Sequence, residues 1–197
     1  MALALIAAAC GGDDDADLVP AATVGTAPTT TSTTARPIDV AVIPDDPAQI
    51  DEDYVQAVVD ALFAVDAEAT KIFVETKTLD ERGIDYLEAI YTEDEVERQV
   101  NIWFQSLAQR ADELLGGTLL NDVQRVIDVA DDCIYIEVES DYSEVTTRDA
   151  PLTSNYLGLT PKDEDDDPEG RNPTAWMMFM DAVNLDGSEP ENPCEGR

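Results

Sequence analysis

The 197-residue chain contains no histidine and only three lysines. Without histidine, Ser-His-Asp and Cys-His nucleophile systems are excluded, and so are metal sites that need an imidazole ligand. Neither of the two glycine-rich phosphate loops occurs, Gly-x-x-x-x-Gly-Lys or Gly-x-Gly-x-x-Gly. No run of eighteen apolar residues is present, so the sequence predicts no helix that spans a bilayer. Nucleotide chemistry and histidine-dependent catalysis are not expected.

Acidic residues dominate the charge. Asp and Glu number 44 against 11 Lys and Arg, which gives a formal net charge of −33. Residues 1–45 hold six acids and one arginine, which leaves −28 on residues 46–197. This charge argues against nucleic acid as a partner, because DNA and RNA are held by clusters of Lys and Arg. Apolar residues still make up 44% of the chain, so we expect a folded core.

The N-terminus is a short apolar run that ends at a cysteine. Ala7-Ala8-Ala9 precedes Cys10, and Gly11-Gly12 with three aspartates follows at once. This pattern resembles the lipobox of bacterial lipoproteins, of the actinobacterial type. The resemblance implies that residues 1–10 are a signal peptide, truncated in this sequence because no Lys or Arg precedes the run. It also implies that acylated Cys10 anchors an exported protein to the outer face of the cell membrane. An ordinary secretory signal is the alternative.

Residues 11–45 are rich in Thr, Ala, Pro and Val and include the tract Thr29 to Thr34. Proline and β-branched threonine favour extended backbone over helix. We therefore predict a flexible linker, either O-glycosylated or unmodified, that carries one acidic domain at residues 46–197.

Three cysteines are an odd number for an exported protein. If Cys10 is acylated, Cys133 and Cys194 remain and are predicted to form a disulfide. A bridge over this long loop would stabilise the fold by about 4 kcal/mol.

The first half of the domain has helical periodicity. Asp46-Pro47 is a helix-start signal, and an apolar stripe from Val55 to Phe73 predicts a helix that ends near Thr78. A weaker helix is predicted within residues 79–91. The capping box Thr92-Glu93-Asp94-Glu95 opens a third helix, whose apolar face includes Trp103 and continues to Leu115 before Gly116-Gly117.

The second half has the period of two that is typical of strands. Two alternating runs around Asp131-Asp132 predict a hairpin, in which Val123, Ile127 and Val129 share the buried face of the first strand. A third strand is predicted within Tyr142 to Arg148. A last strand from Thr174 to Val183 would place Trp176, Met178 and Met180 on one face, with Met177 and Phe179 on the other. Both tryptophans are expected in the core rather than on a ligand platform.

This order predicts an α+β fold with N-terminal helices packed on a curved antiparallel sheet. Over residues 50–185 the order of elements resembles the cone-shaped NTF2-like domains, which include isomerases, dehydratases, binding modules and lipoproteins. The resemblance implies a cavity in which an Asp and a Tyr can act as base and hydrogen-bond donor. The residues of these types that could point inward are Asp60, Asp66, Tyr86, Tyr91, Tyr135 and Asp181. Their spacing identifies none as catalytic.

A run of acids near residue 165 is the one candidate metal site. Asp163, Asp165, Asp167 and Glu169 alternate and could offer oxygen ligands to Ca²⁺. The run is not an EF-hand, because Pro168 and Thr174 occupy the positions that require Gly and Glu. A solvated loop between prolines is the alternative, and no other cofactor is predicted.

The sequence favours a non-enzymatic domain, anchored in the cell envelope, that binds an envelope protein or a small ligand. One alternative is an NTF2-like enzyme that uses Asp and Tyr on a small molecule. A cavity that holds a carboxylate with a raised pKa would favour this alternative, and a filled apolar core would oppose it. The other alternative is a calcium-dependent structural or adhesive protein.

Overall fold

The computed structural model describes residues 37–102, 108–183 and 188–195. Three α-helices come first, followed by four strands, so the predicted α+β class with helices on an antiparallel sheet is confirmed. The helices are α1 (Glu52–Thr76), α2 (Glu81–Glu88) and α3 (Glu93–Ile102), and the strands are β1 (Leu120–Ala130), β2 (Cys133–Asp141), β3 (Thr153–Pro161) and β4 (Trp176–Val183). No helix among these described residues is long and apolar enough to cross a membrane.

Helix α1 is capped by Asp51, whose carboxylate accepts the Tyr54 N–H at 3.0 Å. Asp46 was predicted to start this helix, but it caps the separate 3-10 turn Pro47–Gln49 instead. The helix ends at Lys77, which adopts the left-handed conformation at φ 60°.

The predicted third helix does not reach Leu115 as one α-helix. The described part of α3 is Glu93–Ile102, and the described residues Ala108–Glu113 form a 3-10 helix with non-helical dihedral angles at Arg110. Leu115 is 53% exposed, so the predicted continuous apolar face to this residue is wrong. Trp103, which we expected in the core, lies outside the described residues.

The four strands lie in the order β1-β2-β3-β4, and all pair antiparallel. The predicted hairpin is confirmed, because Ala130 pairs with Cys133 across the turn Asp131-Asp132. The third strand is Thr153–Pro161, so its prediction within residues 142–148 is wrong. That segment forms a turn in which the N–H groups of Val145 and Thr146 both bond to the Tyr142 carbonyl.

We call the sheet face toward α1 the inner face and the opposite side the outer face. The main core lies on the inner face and includes Trp176, which is fully buried as predicted. Its indole N–H donates to the Tyr54 hydroxyl at 2.9 Å, and that hydroxyl donates to the Val42 carbonyl at 3.1 Å. Val40 also packs against this core, so the compact unit starts at Pro37, within the segment predicted as linker.

The outer face is covered by the end of the chain. Cys133 and Cys194 are joined by a disulfide, as the cysteine count predicted, and both residues are buried. The Tyr135 hydroxyl donates to the Pro190 carbonyl at 3.2 Å, and the Asn192 amide donates to Asp128 at 2.9 Å. We call residues 188–195 the tail strap.

Candidate functional site

A cavity of about 400 Å³ opens between α1, α3 and the inner face of the sheet. Its remaining wall is the connection between β2 and β3 together with the 3-10 helix Ala108–Glu113. Most of the lining surface is apolar, and the described apolar residues in it are Phe63, Ile102, Leu114, Leu119, Val145, Ala150, Pro151 and Val183. Polar and charged side chains, among them Asp66, Tyr91 and Asp181, complete the lining, and a pocket of this size with a mostly apolar surface is typical of a small-molecule site.

Asp66 is the most perturbed carboxylic acid of the cavity. It lies three residues after Phe63 and four before Thr70, on the buried stripe of α1. Burial and the negative charge of Asp181 raise the pKa of Asp66 to about 7, against the lowering effect of a hydrogen bond from the Tyr91 hydroxyl. Near neutral pH this side chain is therefore present in both protonation states.

Asp181 faces the same cavity because β4 contains a bulge. Met178 pairs with Leu159 and Met180 pairs with Gly158, which leaves Phe179 as an extra residue. The alternation of side chains therefore shifts by one residue, and Asp181, paired with Leu157, comes to the inner face.

The same bulge corrects one prediction. Met180 was expected on the face of Trp176 and Met178, but it packs on the outer face, with the cluster that surrounds Cys133. A similar shift affects β1, where two irregularities place Ile127 in the outer cluster rather than beside Val123. A strict period of two cannot predict either position.

Gly158 makes room for the bulged residue. The Phe179 ring lies against it so closely that a Cβ atom at position 158 would be 2.7 Å from the ring Cζ atom. Any larger residue at this position would have to displace the Phe179 ring.

Three side chains of α3 surround Asp181. Burial raises the pKa of Asp181 to about 6, mainly against the lowering effect of the Arg98 charge. The Arg98 guanidinium donates to Glu95 and to the Asp181 main-chain carbonyl, and the Gln99 amide donates to Glu95 at 2.8 Å and to the Asp181 carboxylate at 3.4 Å. Glu95 is only 5% exposed. These contacts fix the position of Asp181.

Tyr91 is held by the edge of β4 in the connection between α2 and α3. The Met178 N–H donates to the Ile90 carbonyl at 2.7 Å, and the Thr92 N–H donates to the Met178 carbonyl at 3.0 Å. Burial and the nearby charge of Asp66 raise the pKa of Tyr91 well above its usual value. The hydroxyl is therefore protonated throughout the physiological range and can always donate.

The structure brings together three of the six Asp and Tyr residues that the sequence suggested. Asp66, Tyr91 and Asp181 line the cavity. Asp60 is exposed beside a separate groove, and Tyr135 lies on the outer face. Tyr86 packs outside the cavity, with the Arg171 guanidinium 5.0 Å from its ring centre.

Sequence reasoning missed Glu95, Arg98 and Gln99. Glu95 and Gln99 are one turn apart on α3 and share its buried side with Val96. The position of Glu95 and Gln99 on the apolar side of the helix was the pattern that could have predicted their burial.

The acidic loop uses two of its four candidate ligands internally. Asp167 accepts the N–H groups of Arg171 at 3.0 Å and of Asn172 at 2.7 Å, and Glu169 forms an ion pair with Arg171 at 2.6 Å. Asp163 and Asp165 are exposed. Within the described ranges, no group of three or more Asp, Glu, Cys or His side chains is placed to hold a metal ion. Calcium binding at this loop stays a prediction.

No protein-family model, curated protein or solved structure matches this chain. The chemistry of the cavity is therefore the basis for a functional assignment. It combines a carboxyl group that titrates near pH 7, a second that titrates near pH 6 and a permanent hydroxyl donor. Such a set can remove a proton from a bound molecule and return it.

Proposed function

We propose that the domain binds a small, mostly apolar organic molecule in this cavity and catalyses a proton transfer on it. Asp66 is the acid–base group, and Tyr91 is the hydrogen-bond donor. The observation that carries the proposal is the position of Asp66 in a largely apolar cavity, next to Asp181 and bonded by Tyr91.

The protonation states suit this role. A general acid–base group works best when its pKa is close to the working pH, and the pKa of Asp66 is about 7. The negative charge of Asp181 adds to the effect of burial, so Asp66 keeps its proton to a higher pH than an isolated aspartate does. An ordinary surface aspartate would be fully ionised and a weaker base.

The simplest reaction of this kind is proton abstraction from a carbon next to a carbonyl group. The Asp66 carboxylate takes the proton, and the C–H electron pair moves toward the carbonyl oxygen. In the free site the Tyr91 hydroxyl donates to Asp66; when a molecule is bound, the same hydroxyl, which stays protonated, can turn and donate to the carbonyl oxygen that becomes negative. If Asp66 first trades this proton with solvent, return of a solvent proton to the same carbon completes an exchange. Delivery of the proton to the γ carbon of a conjugated enolate completes an isomerisation.

A deuterium-exchange assay tests this proposal without knowledge of the natural substrate. The protein is incubated in D₂O with a panel of small apolar ketones and enones, and proton NMR follows the loss of the signal next to the carbonyl. We expect enzyme-dependent exchange that D66N reduces by about a hundredfold or more. D60N is the matched control, because Asp60 lies on the same helix but is exposed outside this cavity. Equal exchange by D66N and the wild type would refute the assignment of Asp66.

Ligand binding without catalysis is the second candidate, and the same cavity favours it. It predicts that ketones of the panel shift the NMR signals of residues around Phe63 and Val145 while no exchange occurs. D66N would then bind these compounds as tightly as the wild type.

We also infer that the domain is exported and anchored to the outer face of the cell membrane through acylated Cys10. The lipobox-like residues before Cys10 and the predicted linker support this location. C10A should release the protein into the medium, and mass spectrometry of the mature wild-type N-terminus should find acyl mass on cysteine. Retention of C10A in the membrane fraction would contradict the anchor.

A further inference from the structure

Arg110 differs from every other cation in residues 37–102, 108–183 and 188–195. Each of the other lysines and arginines in these ranges forms an ion pair with Asp or Glu. Arg110 has no such partner in the described structure, although the chain contains 44 acidic residues. An unpaired guanidinium in so acidic a protein is available to bind an anion.

Arg110 also lines the candidate cavity. It lies on the 3-10 helix Ala108–Glu113, which forms part of the cavity wall. Because Arg110 is also exposed, it lies where the cavity meets solvent. The two other arginines of the lining are already neutralised. Arg148 contacts both carboxylate oxygens of Glu113, at 3.2 and 2.5 Å, and Arg98 pairs with the buried Glu95. Among the described residues of the lining, Arg110 is therefore the one cation without an ion pair.

We infer that the ligand of this cavity is a monocarboxylate with an apolar body. This inference takes the location of the ligand from the proposed function. Arg110 binds the carboxylate at the mouth through the paired N–H groups of its guanidinium, and the apolar body extends along Phe63 and Val145 toward Asp66. One uncompensated cation matches one negative charge, whereas a doubly charged phosphate monoester would need a second.

The negative net charge of the domain affects which anions can bind at Arg110. A domain that carries −28 repels anions in general, so a free carboxylate gains attraction only where a local cation offsets this repulsion. The acidic surface and Arg110 together favour an anion that also has apolar surface to bury, since an inorganic anion gains nothing from the cavity wall.

Two probes of nearly equal shape test the inference. Octanoate and octanamide differ in charge but share the same apolar chain, and their dissociation constants are measured by calorimetry at pH 8 in low salt with the full chain. We expect the wild type to bind octanoate about tenfold more tightly than octanamide, and we expect R110Q to lose that preference. R82Q is the matched control, because Arg82 is an exposed arginine that pairs with Asp80 on α2, outside the cavity lining.

The outcomes separate this inference from the proposed function. Equal affinity of the wild type for the two probes, an undiminished preference in R110Q, or binding of neither probe up to its solubility limit would each overturn the role of Arg110. D66N should keep the preference for octanoate even if it abolishes deuterium exchange. A preserved preference in a wild type that shows no exchange supports the carboxylate ligand and removes only the catalytic proposal.

Discussion

The buried polar side chains on the two sides of the sheet differ in what they face. On the outer face, burial raises the pKa of Tyr135 to about 12, and its hydroxyl bonds to the tail strap at Pro190. On the inner face, burial raises the pKa of Asp66 to about 7 in a cavity that the described residues leave open. The outer tyrosine bonds to the part of the chain that covers it, whereas the inner carboxyl group, although bonded by Tyr91, also faces space for a ligand.

This difference favours the inner face as the place of the proposed ligand site. A buried carboxyl group lowers stability when it ionises, and packing alone gives no reason to place two of them beside one cavity. Strongly perturbed carboxyl groups in a cleft are typical of sites that bind or react. The outer face has the disulfide and the tail strap, which are features of stabilisation.

The largest effect is expected on the outer face. Replacement of both Cys133 and Cys194 by alanine opens a loop with a sequence separation of 61 residues. In the chain-entropy account, the free energy of unfolding should fall by about 4 kcal/mol, as urea denaturation would measure. The titration of Asp66, followed by carboxyl ¹³C NMR, should not change. A shift of the Asp66 pKa in this variant would show that the two faces are coupled.

The next largest effect is expected at Asp66, with a defined pH dependence. The pKa is raised by folding from 3.8 to about 7, so the folded state retains the proton longer than the unfolded state. The wild type therefore loses stability as the pH rises through this window, and the loss is complete above pH 7. D66N cannot ionise, so it should match the wild type at pH 4 and exceed it by about 4 kcal/mol at pH 8.

Urea denaturation of both proteins across this pH range measures the difference. D60N provides the control, since Asp60 is exposed and its replacement should give no such pH-dependent gain. A constant difference between D66N and the wild type from pH 4 to pH 8 would contradict the raised pKa.

A smaller loss is expected from G158A, because the new methyl group would collide with the Phe179 ring. We expect a loss of about 2 kcal/mol in the free energy of unfolding. The double variant G158A/F179L tests the cause. Because leucine is smaller than the ring, the double variant should be less destabilised than the sum of the two single variants. Additive losses would show that contact with Phe179 is not the reason for glycine at this position.

The smallest effect is expected from Y91F, which removes one hydroxyl from the inner face. The lost hydrogen bond should cost about 1 kcal/mol of stability. The Asp66 pKa should rise further, because the bond from Tyr91 lowers it in the wild type. Carboxyl ¹³C NMR measures this shift. Y86F is the control, since Tyr86 packs against Arg171 outside the cavity lining and its loss should leave Asp66 unchanged.

The elements that local patterns determine were predicted well. The stripe from Val55 to Phe73 predicted α1, and the two alternating runs predicted the hairpin of β1 and β2. The strand β3 was missed because Asn155 occupies an inward position and Gly158 interrupts the alternation. A buried polar residue and a glycine therefore weaken the alternating pattern that predicts a strand.

Only some of the residues of the candidate site could be predicted from local sequence patterns. The sequence proposed Asp66 and Tyr91 as inward-pointing residues, but it also proposed Asp60 and Tyr135, which lie outside the cavity. Asp181 points inward because of a bulge in β4, and no residue pattern in this strand predicts that bulge. The pairing of Ile90 and Thr92 with Met178, which positions Tyr91, joins segments nearly ninety residues apart.

The sequence by itself determined the class of the fold, the cysteine pair, the acidic surface and the exclusion of histidine chemistry. These properties follow from composition and from periodicity along a single element. The tertiary structure alone decided which acids are buried together and which arginine lacks a partner. A raised pKa and an unpaired charge are properties of distances between elements, and those distances exist only after α1, α3 and β4 have packed around one cavity.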